Sequence, residues 1–421
     1  MQLCSIQTKG LLLLLGISML SGSVAAEEKG EERMTPPGIV IDHSPDSKRI
    51  YIGSPSLAIL PDGSYVASHD FFGPGTTYDT TAVFHSSDEG KTRERVATLK
   101  GQFWSRLFVA NGKLHILGTT GRWGSLVLRR SGDGGHTWTK PKDADTGIIQ
   151  AADDQWLYGI ASGAMHVQNG RLYKAAVRRK PGPRKWGQPQ VFVVLSARVD
   201  SDLLKASSWR ISSGVSSVPH PKNMFLTDEG NVVADRDGRI FNILRVHEPK
   251  RGGIAGILAL SADGKKLTFD RKTGYFPFFG GCKKFTIRYD AKSDRWWSLA
   301  NWAQDESLKR AVNAERTRNA LALTCASELR NWEVRSVILY HPDVRNVGFQ
   351  YADWQFKGND IIAVSRTAFG NATNCHNANY LTFHRITDFR KRSMKDKPFT
   401  RQIKEQKAQP SAPADADKPR H

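Results

Sequence analysis

A chain of 421 residues, 39% hydrophobic and 24% charged, is long enough to bury a large core and too apolar to stay unfolded. Four cysteines in that length exclude a disulfide-stapled scaffold; no Cys or His spacing resembles a zinc site, so neither metal nor cofactor is expected. The formal charge of +20 calls for an anionic partner, and with the export signal read next that is an acidic glycan (sialylated, uronic or sulfated) rather than nucleic acid, with a merely solvated basic face as the alternative.

Residues 1–26 read as a cleavable secretory signal. Lys9 supplies the positive start, Gly10 to Leu20 an apolar core too short to span a bilayer, and Ser23-Val24-Ala25-Ala26 the small residues for cleavage. Cys4 precedes the apolar core, so it is not placed as a lipoprotein cysteine. The expected product is secreted or periplasmic, monomeric and not inserted in a membrane. It keeps Cys282, Cys325 and Cys375, enough for one disulfide of unspecified pairing. Residues 27–37, charged and ending in proline, read as a flexible leader.

From Gly38 to Arg390 there is no long helical periodicity, only short apolar runs broken by turn residues. Six hairpins of one kind recur, with turns at Asp62-Gly63, Asn111-Gly112, Asn169-Gly170, Asp237-Gly238, Asp290 to Asp294, and Gly358-Asn359. A second kind of turn is interleaved with them. Its best copy is Ser131-Gly132-Asp133-Gly134-Gly135-His136-Thr137-Trp138, where Ser131 and Asp133 can bond the backbone and Trp138 can pin the turn onto the next layer. Ser86-Ser87-Asp88-Glu89-Gly90-Lys91-Thr92 is a second copy, and its Asp88 lies 45 residues before Asp133, the period of a propeller blade. Weaker echoes are Ser207-Ser208-Trp209, Ser261-Ala262-Asp263-Gly264 and Ser327 to Trp332. Six repeats of two hairpins predict an all-β fold: one domain over residues 38–390, a six-bladed β-propeller of four-stranded antiparallel blades, with two β-sandwiches as runner-up. Residues 391–421 carry nine Lys or Arg against four Asp or Glu and end in an Ala/Pro/Asp tract, so they read as a disordered basic tail.

In a propeller the innermost strands converge at one end of the axis, so the start of each repeat's first strand is where a shared pocket would form. There lie Gly53-Ser54-Pro55, Trp104-Ser105-Arg106, Gly163 to His166, Asp228-Glu229-Gly230-Asn231, Lys283-Lys284 and Tyr351-Ala352-Asp353-Trp354. A carboxylate, two lysines and a phenol at equivalent positions can make a polar site. Trp104, Trp123, Trp156 and Trp186 fall at loops or strand starts, where they either stack on sugars or pack the blades.

The Ser-x-Asp-x-Gly-x-Thr-Trp stretch at Ser131 is the Asp-box, and the chain from Gly38 to Arg390 resembles the sialidase superfamily, whose members are six-bladed propellers. The resemblance implies a retaining, exo-acting, metal-free glycoside hydrolase for acidic glycans. On the Asp228 to Arg245 segment it makes Glu229 the base and Arg245 one of three arginines clamping the sugar carboxylate. On the Tyr351 to Ile362 segment it makes Tyr351 the nucleophile, activated by Glu229. In the first repeat Gly53 stands where the first clamping arginine is expected. Asp70 falls where a carboxylate orients that arginine, and Asp79 where the acid/base residue belongs, with Asp70 as fallback. Further positive charge for the substrate is expected from Arg288, Lys283, Lys284 and Arg106, with Trp104 beside them. A non-catalytic glycan-binding propeller and a lyase on uronate polymers, with Tyr351 removing a proton, are the competing functions.

Overall fold

The computed structural model describes residues 35–160, 163–183, 190–216 and 224–398. The expected signal, residues 27–34 of the leader, Trp186 and residues 399–421 of the tail lie outside them. Six antiparallel sheets follow one another along the chain, each with a core of four strands. From the innermost strand outward, blade one is Tyr51–Ile59, Tyr65–Phe72, Thr80–Ser86 and Glu94–Lys100. Blade two is Phe103–Ala110, Lys113–Thr119, Leu126–Ser131 and Ile148–Gln150. Blade three has its inner edge split into Leu157–Ile160 and His166–Gln168, followed by Arg171–Arg179, Val191–Arg198 and Trp209–Ile211. Blade four is Phe225–Ala234, Ile240–His247, Ile254–Leu260 and Leu267–Thr268, and blade five Thr286–Asp290, Arg295–Asn301, Ala320–Glu328 and Asn331–Tyr340. Blade six is Gly348–Lys357, Asp360–Ala368 and Tyr380–Ile386, completed by the first strand of the chain, Ile39–His43. The predicted six-bladed propeller is the fold observed.

The two turn families have a simple origin. All six Gly-containing or Asp-bounded hairpins join first to second strands. The two Ser/Asp turns and their three echoes join third to fourth strands. There is no sixth because the outer strand of blade six comes from the other end of the chain, where Ile39 to His43 pair with Phe383 to Tyr380. Main-chain hydrogen bonds thereby close the ring and leave no long open edge.

At the best copy, both oxygens of Asp133 accept from the Thr137 amide, at 2.9 and 3.1 Å, and the Ser131 hydroxyl donates to Asp133 at 2.8 Å. These bonds outweigh slight burial and hold the Asp133 carboxyl down at about 2. Trp138 donates its indole N–H to the Gly135 carbonyl at 2.7 Å and packs on the apolar layer between blades one and two.

Six apolar clusters lie one in each gap between neighbouring blades, such as Trp297, Leu323 and Phe349 between five and six. Each sheet is therefore covered on both faces. That is why stretches such as Leu126-Val127-Leu128 read as continuous apolar runs rather than alternating ones. Cys282, Cys325 and Cys375 are all buried and free. Pro36 and Pro37 of the leader are buried, and residues 391–398 form turns after Phe389, which packs on Trp297. No helix among the described residues is long and apolar enough to cross a membrane.

Candidate active site

A cavity of about 710 Å³ opens at the end of the axis where the innermost strands begin. Its floor is built from irregularities in those strands. Ladder pairing runs Gly53↔Asp70 then Ser56↔Ser68 in blade one, Phe103↔Thr119 then Arg106↔Leu117 in blade two, and Gln350↔Arg366 then Asp353↔Val364 in blade six. Each skips an extra residue, a β-bulge that re-aims a side chain. The residues so turned are Ser54, Trp104 and Tyr351, with φ of 37°, 49° and 58°, and all three line the cavity. Non-glycine residues persist in this region only where their surroundings hold them, and such strain gathers at functional sites. Blade four has a longer bulge, from Leu226↔Val246 to Gly230↔Leu244, which presents Asp228 and Glu229 to the cavity. Gly230 is required at its end, since a Cβ there would lie 2.4 Å from the Asn242 side-chain oxygen.

The expected trio meets. The Tyr351 hydroxyl donates to Glu229 Oε1, and Arg245 donates to Glu229 Oε2 at 2.8 Å. Burial raises the Glu229 carboxyl, but the Arg245 charge and the bonds from Tyr351 and Arg245 outweigh it and hold Glu229 below the ordinary carboxylate range. Burial and the Glu229 charge push the Tyr351 phenol up to about 12. At rest the proton therefore sits on the phenol, aimed at an ionised carboxylate.

Other parts of the cavity were not legible in the sequence. The guanidinium of Arg366 lies 4.6 Å from the centre of the Tyr351 ring, and that of Arg318 lies 5.7 Å from it. Glu315 receives Arg245 at 3.4 Å and lies 2.8 Å from His247 Nδ1. Burial and repulsion from Arg318 bring Arg366 down to about 10, so it remains charged at neutral pH. A Cβ at Gly53 would lie 3.0 Å from the Phe72 ring, and that ring carries the Arg366 guanidinium 4.5 Å from its centre. The second strand of blade six thus brings an arginine to the part of the cavity wall that Gly53 and Phe72 line. The signal for it was the hairpin register: Lys357↔Asp360 and Asp353↔Val364, continued without the bulge, would set Arg366 opposite Tyr351. In all, five arginines and three carboxylates line the cavity, so it favours an anion.

Of the remaining expected residues, Trp104 lines the cavity, and the others do not. Asp70 is fully buried, accepts from Thr81 at 2.7 Å, and is raised by burial to about 6. Asp79 is held by the hydroxyls of Thr77 and Thr80 and lies 3.2 Å from Lys100; against the effect of burial these partners keep it below the usual carboxylate range. Arg106 is buried in an ion pair with Asp353, and Arg288 donates to the Trp354 carbonyl at 2.5 Å. Lys283 is buried on the Ala314 carbonyl at 2.7 Å. Among the described residues no group of three His, Cys, Asp or Glu side chains could hold a metal ion.

Lys284 is buried too, and it donates to the carbonyls of Ala352 at 2.7 Å and Tyr351 at 3.2 Å. It therefore pins the bulge that carries the phenol. Lys284→Met keeps the volume and deletes the donor. The expected result is a kcat about 10- to 100-fold lower with KM nearly unchanged; a loss confined to KM would show instead that Lys284 meets the substrate.

Fold and axial cavity together define a six-bladed β-propeller with an arginine-rich pocket on its axis, and the fold is one that solved sialidases share. Among solved structures the chain is similar to the Hadza microbial sialidase Hz136, at 14% identity over 83% of this chain and 68% of that one, with a TM-score of 0.56. It is also similar to a Penicillium chrysogenum alpha-L-arabinanase complexed with arabinobiose, at 15% identity over 85% of this chain and 99% of that one, with a TM-score of 0.51. A Trypanosoma rangeli sialidase in complex with sialic acid matches at 15% identity over 83% of this chain and 59% of that one, with a TM-score of 0.52. At these identities the likeness is one of fold. No family model matches the sequence, and no curated protein does.

Proposed function

We propose that the protein is an exported, exo-acting, retaining glycoside hydrolase for a terminal acidic sugar. The observation that carries this reading is the Tyr351–Glu229 hydrogen bond inside a cavity with an excess of arginine. In the proposed reaction Arg245, Arg318 and Arg366 hold the sugar carboxylate. The Tyr351 oxygen attacks the anomeric carbon as its proton passes to Glu229, and water later releases the sugar from the phenol with retained configuration. Of the three solved neighbours, two are sialidases, one of them in complex with sialic acid, and the third is an arabinanase complexed with arabinobiose, which supports the reaction class and leaves the acidic sugar to the arginines.

The departing oxygen needs a proton. Asp228 and Glu315 line the cavity, and Asp79 adjoins it through Tyr78. Each is exchanged for its amide and assayed on a natural acidic glycoside and on its 4-nitrophenyl analogue, whose leaving group needs no proton. The acid is the position whose variant loses the first activity and keeps the second. NMR of the first-formed sugar should show the substrate's own anomer; the opposite anomer, binding without product, or an unsaturated uronate would each overturn the proposal.

A further inference from the structure

We infer that the axial cavity continues into a second, cationic subsite on blades two and three, which holds the acidic groups of a longer polyanionic saccharide on the units outside the cavity. This rests on the reading of the cavity as an acidic-sugar site and adds chain length to it. The cavity wall runs from Trp104 on blade two to Gly159 and Val177 on blade three. Directly after Val177 the strand ends in Arg178 and Arg179, and Lys180 follows.

These cations are racked on aromatic rings. The Arg178 guanidinium lies 4.3 Å and the Lys180 ammonium 4.5 Å from the centre of Trp156. Arg179 lies 5.0 Å from Trp123, and Arg122, in the cavity wall, 5.3 Å from Tyr78. Trp123 meets Trp104 edge-on at 5.5 Å, so the rack joins the cavity. A cation over an aromatic face is held there by the ring's quadrupole, so part of the side chain's freedom is given up before any ligand arrives. Trp156 is therefore a support for positive charge, not the bare sugar platform that the sequence allowed.

Among the described residues Arg122, Arg178 and Lys180 form no ion pair with a carboxylate. At the opposite end of the ring, exposed arginines do: Arg198 with Asp200, Arg236 with Asp294, Arg385 with Asp360. In the nearby turn Asp153-Asp154, Asp153 accepts from the amides of Gln155 and Trp156, and among the described residues neither carboxylate pairs with Arg122, Arg178 or Lys180. Cations kept extended and apart from counter-ions, beside a cavity that already favours an anion, match a ligand with repeated negative charge.

The test is calorimetric binding to the Tyr351→Phe protein. The probes are oligogalacturonides of one and four units, a heparin-derived tetrasaccharide, and maltotetraose as neutral control. An acidic tetramer is expected to bind at least about tenfold tighter than galacturonate, a gain that shrinks as salt rises from about 50 to 200 mM. Arg178→Gln with Lys180→Gln should erase that gain and leave the monomer's affinity in place. Acidic tetramers no tighter than the monomer, a double variant that keeps the gain, or maltotetraose binding equally well would overturn the inference. Tetramer binding that depends on Arg178 and Lys180 but not on Arg245→Gln would keep the subsite and discard the reading of the cavity.

Discussion

Tyr351→Phe is expected to lower kcat at least about 1,000-fold, roughly 4 kcal/mol of barrier, while the protein still unfolds within a few degrees of wild type. The substitution removes one oxygen. The ring stays, and with it the faces met by Arg318 and Arg366. Glu229 keeps its bond to Arg245, so no buried charge is stranded. What disappears is the atom that forms the bond to sugar. In the wild type the acid limb of kcat/KM should fall below pH 4.5, the value of an ordinary glutamate, because Glu229 must be ionised to accept the phenol proton and its own carboxyl is held below that value. Full activity in the variant would end the nucleophile assignment. An acid limb well above 4.5 would end the assignment of Glu229 as base.

Asp353→Asn should produce the largest loss of stability of any single change beneath the cavity, about 3–5 kcal/mol and a fall in Tm of roughly 5 °C or more. Asp353 is fully buried, two residues past Tyr351 on the same strand. It pairs with Arg106 and accepts the Leu57 amide at 2.8 Å; Arg288 lies 3.8 Å away. One carboxylate thus ties blades one, two, five and six together at the axis. Burial raises it, and the charges of Arg106, Arg288 and Lys284 overcome that and keep it ionised. Neutralising it leaves those cations without their counter-charge. The double change Arg106→Met with Asp353→Leu removes both members and should be less destabilising than Asp353→Asn alone. Denaturant unfolding of the three proteins decides it. If the single variant is as stable as wild type, Asp353 is not the electrostatic hub of the ring.

Local chemistry was enough for the architecture. Asp-Gly and Asn-Gly turns, and the self-bonded Ser131 and Ser86 turns, act within a few residues, so their spacing announced four strands per repeat before any contact between blades was known. The same holds for the strand starts where Glu229 and Tyr351 sit, because a blade's inner strand always begins at one end of the axis. The cations fared differently. Lys283, Lys284, Arg106 and Arg288 look in sequence like the cations of a binding site, yet backbone carbonyls and Asp353 take them up beneath it. Arg318 and Arg366 look unremarkable and reach the phenol. Which way a long side chain points depends on the neighbouring blade, and that information is absent from the chain's own order.

Turn chemistry and apolar run length alone decided that six like sheets would form and roughly where their inner strands begin, because both act over a few residues. Ring closure decided the rest. It borrowed Ile39 to His43 for the last blade, turned Tyr351 inward on a bulge pinned by Lys284, and carried Arg366 to the wall that Gly53 and Phe72 line. Those outcomes depend on packing between segments some three hundred residues apart, such as the 2.8 Å bond from Leu57 to Asp353, and only the folded ring brings such segments within reach.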